Sequence, residues 1–171
     1  TRIVKLNPTD PFDLSRAEIA ARKQIAEIVK FLKEVSPAFK NSDIISIASD
    51  IGVRESRKLR GEHVLTVDEL KNCIKFEDGI ALCNYDIDIH NPAGSGTSHY
   101  FFGPGEYYSI PYRSLLPVEF DNLLVAGRCV SATHEAQASL RIMPVCACMG
   151  EAAGTAVAVA RKTNTNTHTL N

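Results

Sequence analysis

Between Ala21 and Val35, apolar side chains recur at helical spacing: Ala21, Ile25, Ile28, Val29, Leu32 and Val35. Arg22, Lys23, Glu27, Lys30 and Lys33 lie between them. One apolar stripe opposite a charged face predicts a long surface helix laid on a core. Ser15-x-x-Glu18 has the form of a capping box, and Ser36-Pro37 ends the run. Pro8 and Pro11 make residues 1–12 extended or loop-like.

The pattern then shortens. Residues 44–47 and 62–67 predict short strands, and Thr66-x-x-Glu69 predicts one capped helical turn reaching Cys73. Residues 75–91 predict strand, with strict alternation from Tyr85 to His90. Tyr85, Ile87 and Ile89 face one way, and Asp86, Asp88 and His90 face the other. A long loop, 91–106, carries Gly94, Gly96, Gly103 and Gly105, and a short strand follows over 107–113. Residues 123–126 are continuously apolar, as in a strand buried on both faces. Ser131 or Thr133 caps a short helix through Leu140, and Pro144 opens a last helix reaching about Lys162. Residues 163–171 are polar and non-periodic, which predicts a flexible tail. Charged, mixed sequence gives way to small apolar sequence near Pro117. The expected parts are therefore 1–116, 117–162 and the tail.

Composition narrows the picture only a little. A hydrophobic share of 44% over 171 residues suffices for a globular core. Nineteen basic against 20 acidic residues, with no block of like charge, argues against nucleic-acid or membrane-surface partners. The five cysteines (Cys73, Cys83, Cys129, Cys146, Cys148) lack C-x-x-C spacing, so neither a disulfide framework nor a zinc site is expected. Free thiols and the lack of a signal-peptide or transmembrane pattern point to the cytoplasm, with Thr1 not a natural start.

Candidate chemistry concentrates near the C-terminal end. Gly150, Ala153, Gly154 and Val157 leave little side chain on one helix face. Glycine inside a helix costs about 1 kcal/mol against alanine, so close approach of a backbone or a flat ligand is implied. Close helix–sheet packing satisfies the same pattern. Ala126-Gly127-Arg128 ends the buried strand, the position where open α/β sheets bind ligands. Gly127 admits close backbone approach, and Arg128 suits a phosphate or carboxylate or, equally, a structural salt bridge. Arg54 and Arg57 suit an anionic substrate or a solvated turn. Asp86, Asp88 and His90 share one strand face. Three such positions span about 13 Å, too far for one ion, so no metal is expected. His90 borders the glycine-rich loop and is the substrate-facing candidate, together with His134. No G-x-S-x-G elbow is present.

Three pieces carry a family resemblance: Asp121-Asn-Leu-Leu-Val-Ala-Gly-Arg-Cys-Val-Ser-Ala-Thr-His-Glu-Ala136, Ser139-Leu-Arg-Ile-Met-Pro144 and Met149-Gly-Glu-Ala-Ala-Gly-Thr-Ala156. They resemble the C-terminal closing segment of bacterial FAD-dependent oxidoreductases of the glutathione-reductase-like superfamily. The resemblance is strongest over 107–160. It implies an α/β or α+β fold, with an antiparallel substrate-domain sheet, a long helix, and the closing strand–helix unit of an FAD-binding domain. It also implies that Ala126, Gly127 and Arg128 approach the ribityl chain of FAD, and that Arg141, Ile142 and Met143 lie against the flavin ring. Many relatives carry an acidic residue where this chain has Arg128. Gly94-Ser-Gly96 lacks the third glycine of a dinucleotide loop and the βαβ setting around it. The expectation is thus an incomplete, inactive C-terminal fragment of an enzyme performing hydride transfer on a small substrate. Its partner would be the missing N-terminal FAD-binding portion, and an exposed apolar face would promote self-association. The competing expectation is a free-standing binding or interaction module.

Overall fold

The computed structural model describes residues 3–90 and 96–170, without the side chain of His90. They form two compact units, meeting in sequence between Ser56 and Arg57. The boundary expected near Pro117 instead runs through the second unit, where Gly61 and Pro117 form an antiparallel bridge.

The first unit is built on α1, Pro11–Val35. Its start lies upstream of the expected Ser15 cap. The Asp10 carboxylate accepts from the Phe12 N–H, and Pro11 supplies a first-turn residue already set for helix. Ser15 lies inside the helix, its hydroxyl donating to the Pro11 carbonyl. Ser36 caps the other end and Pro37 stops it, as the pattern predicts. Glu18 binds Arg22 and accepts from the Ile51 N–H at 2.6 Å, while Arg22 donates to the Ser49 carbonyl. These bonds hold the Glu18 carboxyl below the usual carboxylate range, the Arg22 bond contributing most. The strand expected over 44–47 does not form; Ile45 is fully exposed, and no described strand pairs there.

The second unit combines two short helices and one long one with two two-stranded antiparallel sheets. Its elements are α2 (Val67–Lys71), β1 (Gly79–Cys83), β2 (Ile87–His90), β3 (Thr97–Tyr100), β4 (Tyr108–Pro111), α3 (His134–Leu140) and α4 (Met143–Thr163). The chain is therefore mixed α and β, as expected. β1 pairs with β4, and β2 with β3. The single strand expected over 75–91 is instead two, β1 and β2, and between them the Tyr85 carbonyl accepts from the Ser139 hydroxyl at 2.6 Å. β3 falls within the stretch expected to be loop. Of the strand expected over 62–67 only a bridge at Leu65 remains, and α2 begins at Val67. Thr66 and Glu69 cap α2 reciprocally, as predicted.

Leu65, Leu70, Ile87, Tyr108, Ile110, Leu115, Val130, Leu140 and Met149 form the core. Each fully buried aliphatic side chain contributes about 1.5–3 kcal/mol. Within it, Tyr108 donates to Ser139 Oγ at 2.7 Å, tying β4 to α3. Burial pushes the Tyr108 phenol well above its ordinary pKa, and nearby Cys83 adds to the effect. α4 buries Val145, Met149, Ala156 and Ala160 and packs against β1. By length and apolarity alone it would suffice to cross a membrane, a property it shares with core helices of soluble proteins.

Residues 165–170 differ from the flexible tail expected. They carry a 3-10 turn, Thr167–Thr169, with Asn166 accepting from the His168 N–H. Tyr112 donates its hydroxyl to the Thr167 carbonyl, and His168 Nε2 lies 3.1 Å from the Pro117 carbonyl.

Candidate functional site

Residues 123–126 run extended without joining a sheet. Val125 N–H donates to the Leu115 carbonyl, and no described strand flanks the segment. Leu124, Val125 and Ala126 are only half-buried. A strand covered on both faces, as the apolar run predicts, needs neighbours that these residues do not meet.

The turn that follows is fixed from several sides. Gly127 has φ +96°, a left-handed conformation that disfavours any side chain, and a Cβ placed there would meet no atom within 4 Å. Its carbonyl accepts from the Val130 N–H. Buried Gln137 on α3 donates from Nε2 to the Arg128 carbonyl at 3.2 Å. Leu59 N–H donates to the Cys129 carbonyl, and Leu65 and Ala132 form a parallel bridge. Arg128 itself is exposed.

The second cluster lies between α3 and α4. Thr133 caps α3, accepting from the Ala136 N–H, one of the two caps predicted. Arg141 closes α3, and Ile142 precedes α4 without giving it a side-chain cap. The first N–H groups of α4 therefore lack that partner, and Pro144 has none to offer. Arg141 is only 13% exposed in its side chain and donates to the Asp88 carbonyl at 2.8 Å. Met143 is 85% exposed.

Electrostatics link the two clusters. Burial raises the Cys146 thiol above its usual pKa, while the Arg128 charge acts against that rise and Cys129 adds to it. Ala126, Ile142 and Cys146 pack against the same hydrophobic core.

The other candidates come from other stretches of the chain. Arg54 is exposed in the first unit and Arg57 is exposed in the second. His134 is exposed at the start of α3. The His90 backbone ends β2 opposite Thr97, and its side chain lies outside the described residues.

One cluster escapes the sequence pattern. His99 on β3 is the register partner of Asp88 on β2. Its Nδ1 lies 3.0 Å from Asp86 Oδ2, and its Nε2 lies 3.6 Å from Asp88 Oδ1. Phe101 stacks on its ring. Only strand register joins these residues, so linear spacing gives no signal for them.

A family model for FAD dependent oxidoreductases matches residues 1–171. The chain belongs to that family. No curated protein and no solved structure matches it. Membership makes FAD the cofactor of the complete protein and flavin-dependent oxidoreduction its general activity. For an FAD dependent oxidoreductase, the donor set around these two clusters is suitable. A left-handed glycine with open space above it, a helix start lacking a side-chain cap and an ordered arginine can meet a flat, carbonyl-edged ligand. The residues fit one side of such a site.

Proposed function

We propose that residues 107–160 supply the closing half of an FAD site in an oxidoreductase acting on a small molecule. The observation that carries this reading is the open, left-handed turn at Gly127, in a chain that belongs to an FAD dependent oxidoreductase family. Gly127 admits the ribityl chain, with Ala126 and Arg128 flanking it. Arg141 orients a polar edge of the ring, and Ile142 and Met143 shield the ring from water. Bound FAD supplies the two-electron redox chemistry. Arg54, Arg57 and His90, within 1–116, and His134, within 117–162, are proposed as substrate-facing. The pyrophosphate half of the site, a strand–GxGxxG–helix unit, is proposed as the partner of these residues, because no such motif occurs among residues 1–171. Alone, this chain is then inactive. The exposed Phe12, Ile19, Phe31 and Val35 of α1 favour self-association.

Flavin retention tests the reading. In the complete flavoprotein, Gly127→Val places a branched side chain where φ is +96° and where the ligand would lie. The expected result is at least a tenfold loss of flavin affinity, about 1.4 kcal/mol or more, with the fold retained by circular dichroism. Unchanged flavin content would remove Gly127 from the site. A colourless complete protein that FAD does not reconstitute would overturn the whole reading.

A further inference from the structure

We infer that His99 is a positioning residue for Arg141, acting through Asp88. This inference rests on the proposed placement of Arg141 beside the flavin. Asp88 links two groups from different elements. Its carboxylate faces His99 Nε2 at 3.6 Å and Arg141 at 3.7 Å, and its backbone carbonyl accepts from Arg141 at 2.8 Å. His99 is held in turn by Asp86 at 3.0 Å and by its stack on Phe101. The carboxylate of Asp88 is thus shared between the imidazole and the guanidinium. Whatever His99 takes from it sets how much negative charge remains on Arg141.

The cluster does not read as a metal site. Among the described residues, no group of three or more His, Cys, Asp or Glu is arranged to hold an ion. Nor is it a plain structural pair. The side chains of Asp86 and Asp88 are largely buried, and those of His99 and Arg141 differ sharply in exposure, at 40% and 13%. His99 meets solvent, whereas Arg141 faces inward beside Ile142, so the chain of contacts runs from the surface to the flavin-adjacent segment. Charge placed near a redox centre displaces its potential, and shielded charge acts more strongly than exposed charge.

The midpoint potential of bound flavin in the complete protein is the readout. His99→Ala removes the imidazole's hold on the Asp88 carboxylate and shifts its charge toward Arg141, and the potential is expected to fall. Asp88→Asn removes the negative charge, and the potential is expected to rise. Opposite signs from two residues in contact do not follow from general loosening of the fold. In an Arg141→Gln background, the His99→Ala displacement should vanish. If it persists there at full size, or if His99→Ala leaves the potential unmoved while Arg141→Gln moves it, the inference is overturned and the flavin reading stands. If neither Asp88→Asn nor Arg141→Gln moves the potential, the placement of Arg141 beside the flavin fails, and the inference fails with it. His99→Gln, whose amide can still donate to one aspartate, should shift the potential less than His99→Ala. It carries the same comparison if the alanine variant does not fold.

Discussion

Gly61→Ala should destabilise the second unit, against the usual sign for glycine-to-alanine changes. A Cβ at Gly61 would lie 2.7 Å from Ser131 Cβ and 3.2 Å from the Leu116 carbonyl oxygen. Carbon atoms pack at about 3.5–4.0 Å, so the two segments must part by roughly 1 Å. They are not free to do so. Gly61 N–H donates to Ser131 Oγ, Glu62 N–H to the Leu116 carbonyl, and Leu65 N–H to the Ser131 carbonyl. Forcing extra volume into such packing costs about 1–3 kcal/mol, and the stiffer unfolded chain returns about 0.4–1. The net expectation is a loss of about 1–2 kcal/mol. In urea unfolding that is a midpoint lower by about 0.5–1 M with an unchanged slope. Gly52→Ala is the control, since no atom lies within 4 Å of a Cβ there. It should be neutral or stabilising. Adding Ser131→Gly to Gly61→Ala removes the 2.7 Å contact and should recover part of the loss. Equal midpoints for Gly61→Ala and Gly52→Ala would refute the packing argument.

Tyr108→Phe should cost about 1 kcal/mol, because it removes the hydroxyl that donates to buried Ser139. Because the folded phenol titrates above its unfolded value, its contribution is complete below about pH 10 and is lost as pH rises beyond it. The alkaline fall in stability should therefore flatten in Tyr108→Phe, checked by urea midpoints between neutral and alkaline pH. Asp78 has the opposite sign. Burial opposes its charge, but bonds from the Arg113 side chain and N–H outweigh this and hold the carboxyl below its usual range. Its contribution is present above the ordinary carboxylate pKa and lost as pH falls through the lower folded value. Asp78→Asn should remove that acid-side slope at a neutral-pH cost of about 0.2–1 kcal/mol, since the pair is partly exposed. An unchanged acid limb would count against the pair.

Local signals carried furthest where a short motif determines its own geometry. Thr66 with Glu69, Thr133 before α3 and Pro144 at the start of α4 all act within one helical turn, and all appear as expected. Ser15-Glu18 has the same form but yields to Asp10-Pro11, which combines an N-cap carboxylate with a preset φ. Where long-range partners decide, the linear pattern gave less. The apolar run over 123–126 records a preference for burial but not whether strands stand beside it. β3 is polar except for Tyr100, so only its pairing with β2 makes it a strand. The proposed half-site was legible because its pieces are short and close in sequence. His99 was not, because cross-strand register brought it to Asp88.

The threonine- and asparagine-rich end of the chain has a practical consequence. Its 3-10 turn reaches back to Tyr112, Pro117 and, through the Thr167 hydroxyl, the Asp121 carbonyl. Those residues lead into the Gly127 turn. A purification tag fused at Asn171, or a trimming that stops at Thr163, therefore acts on the contacts that hold the segment leading into the Gly127 turn, even though composition alone marks this stretch as the safest place to cut.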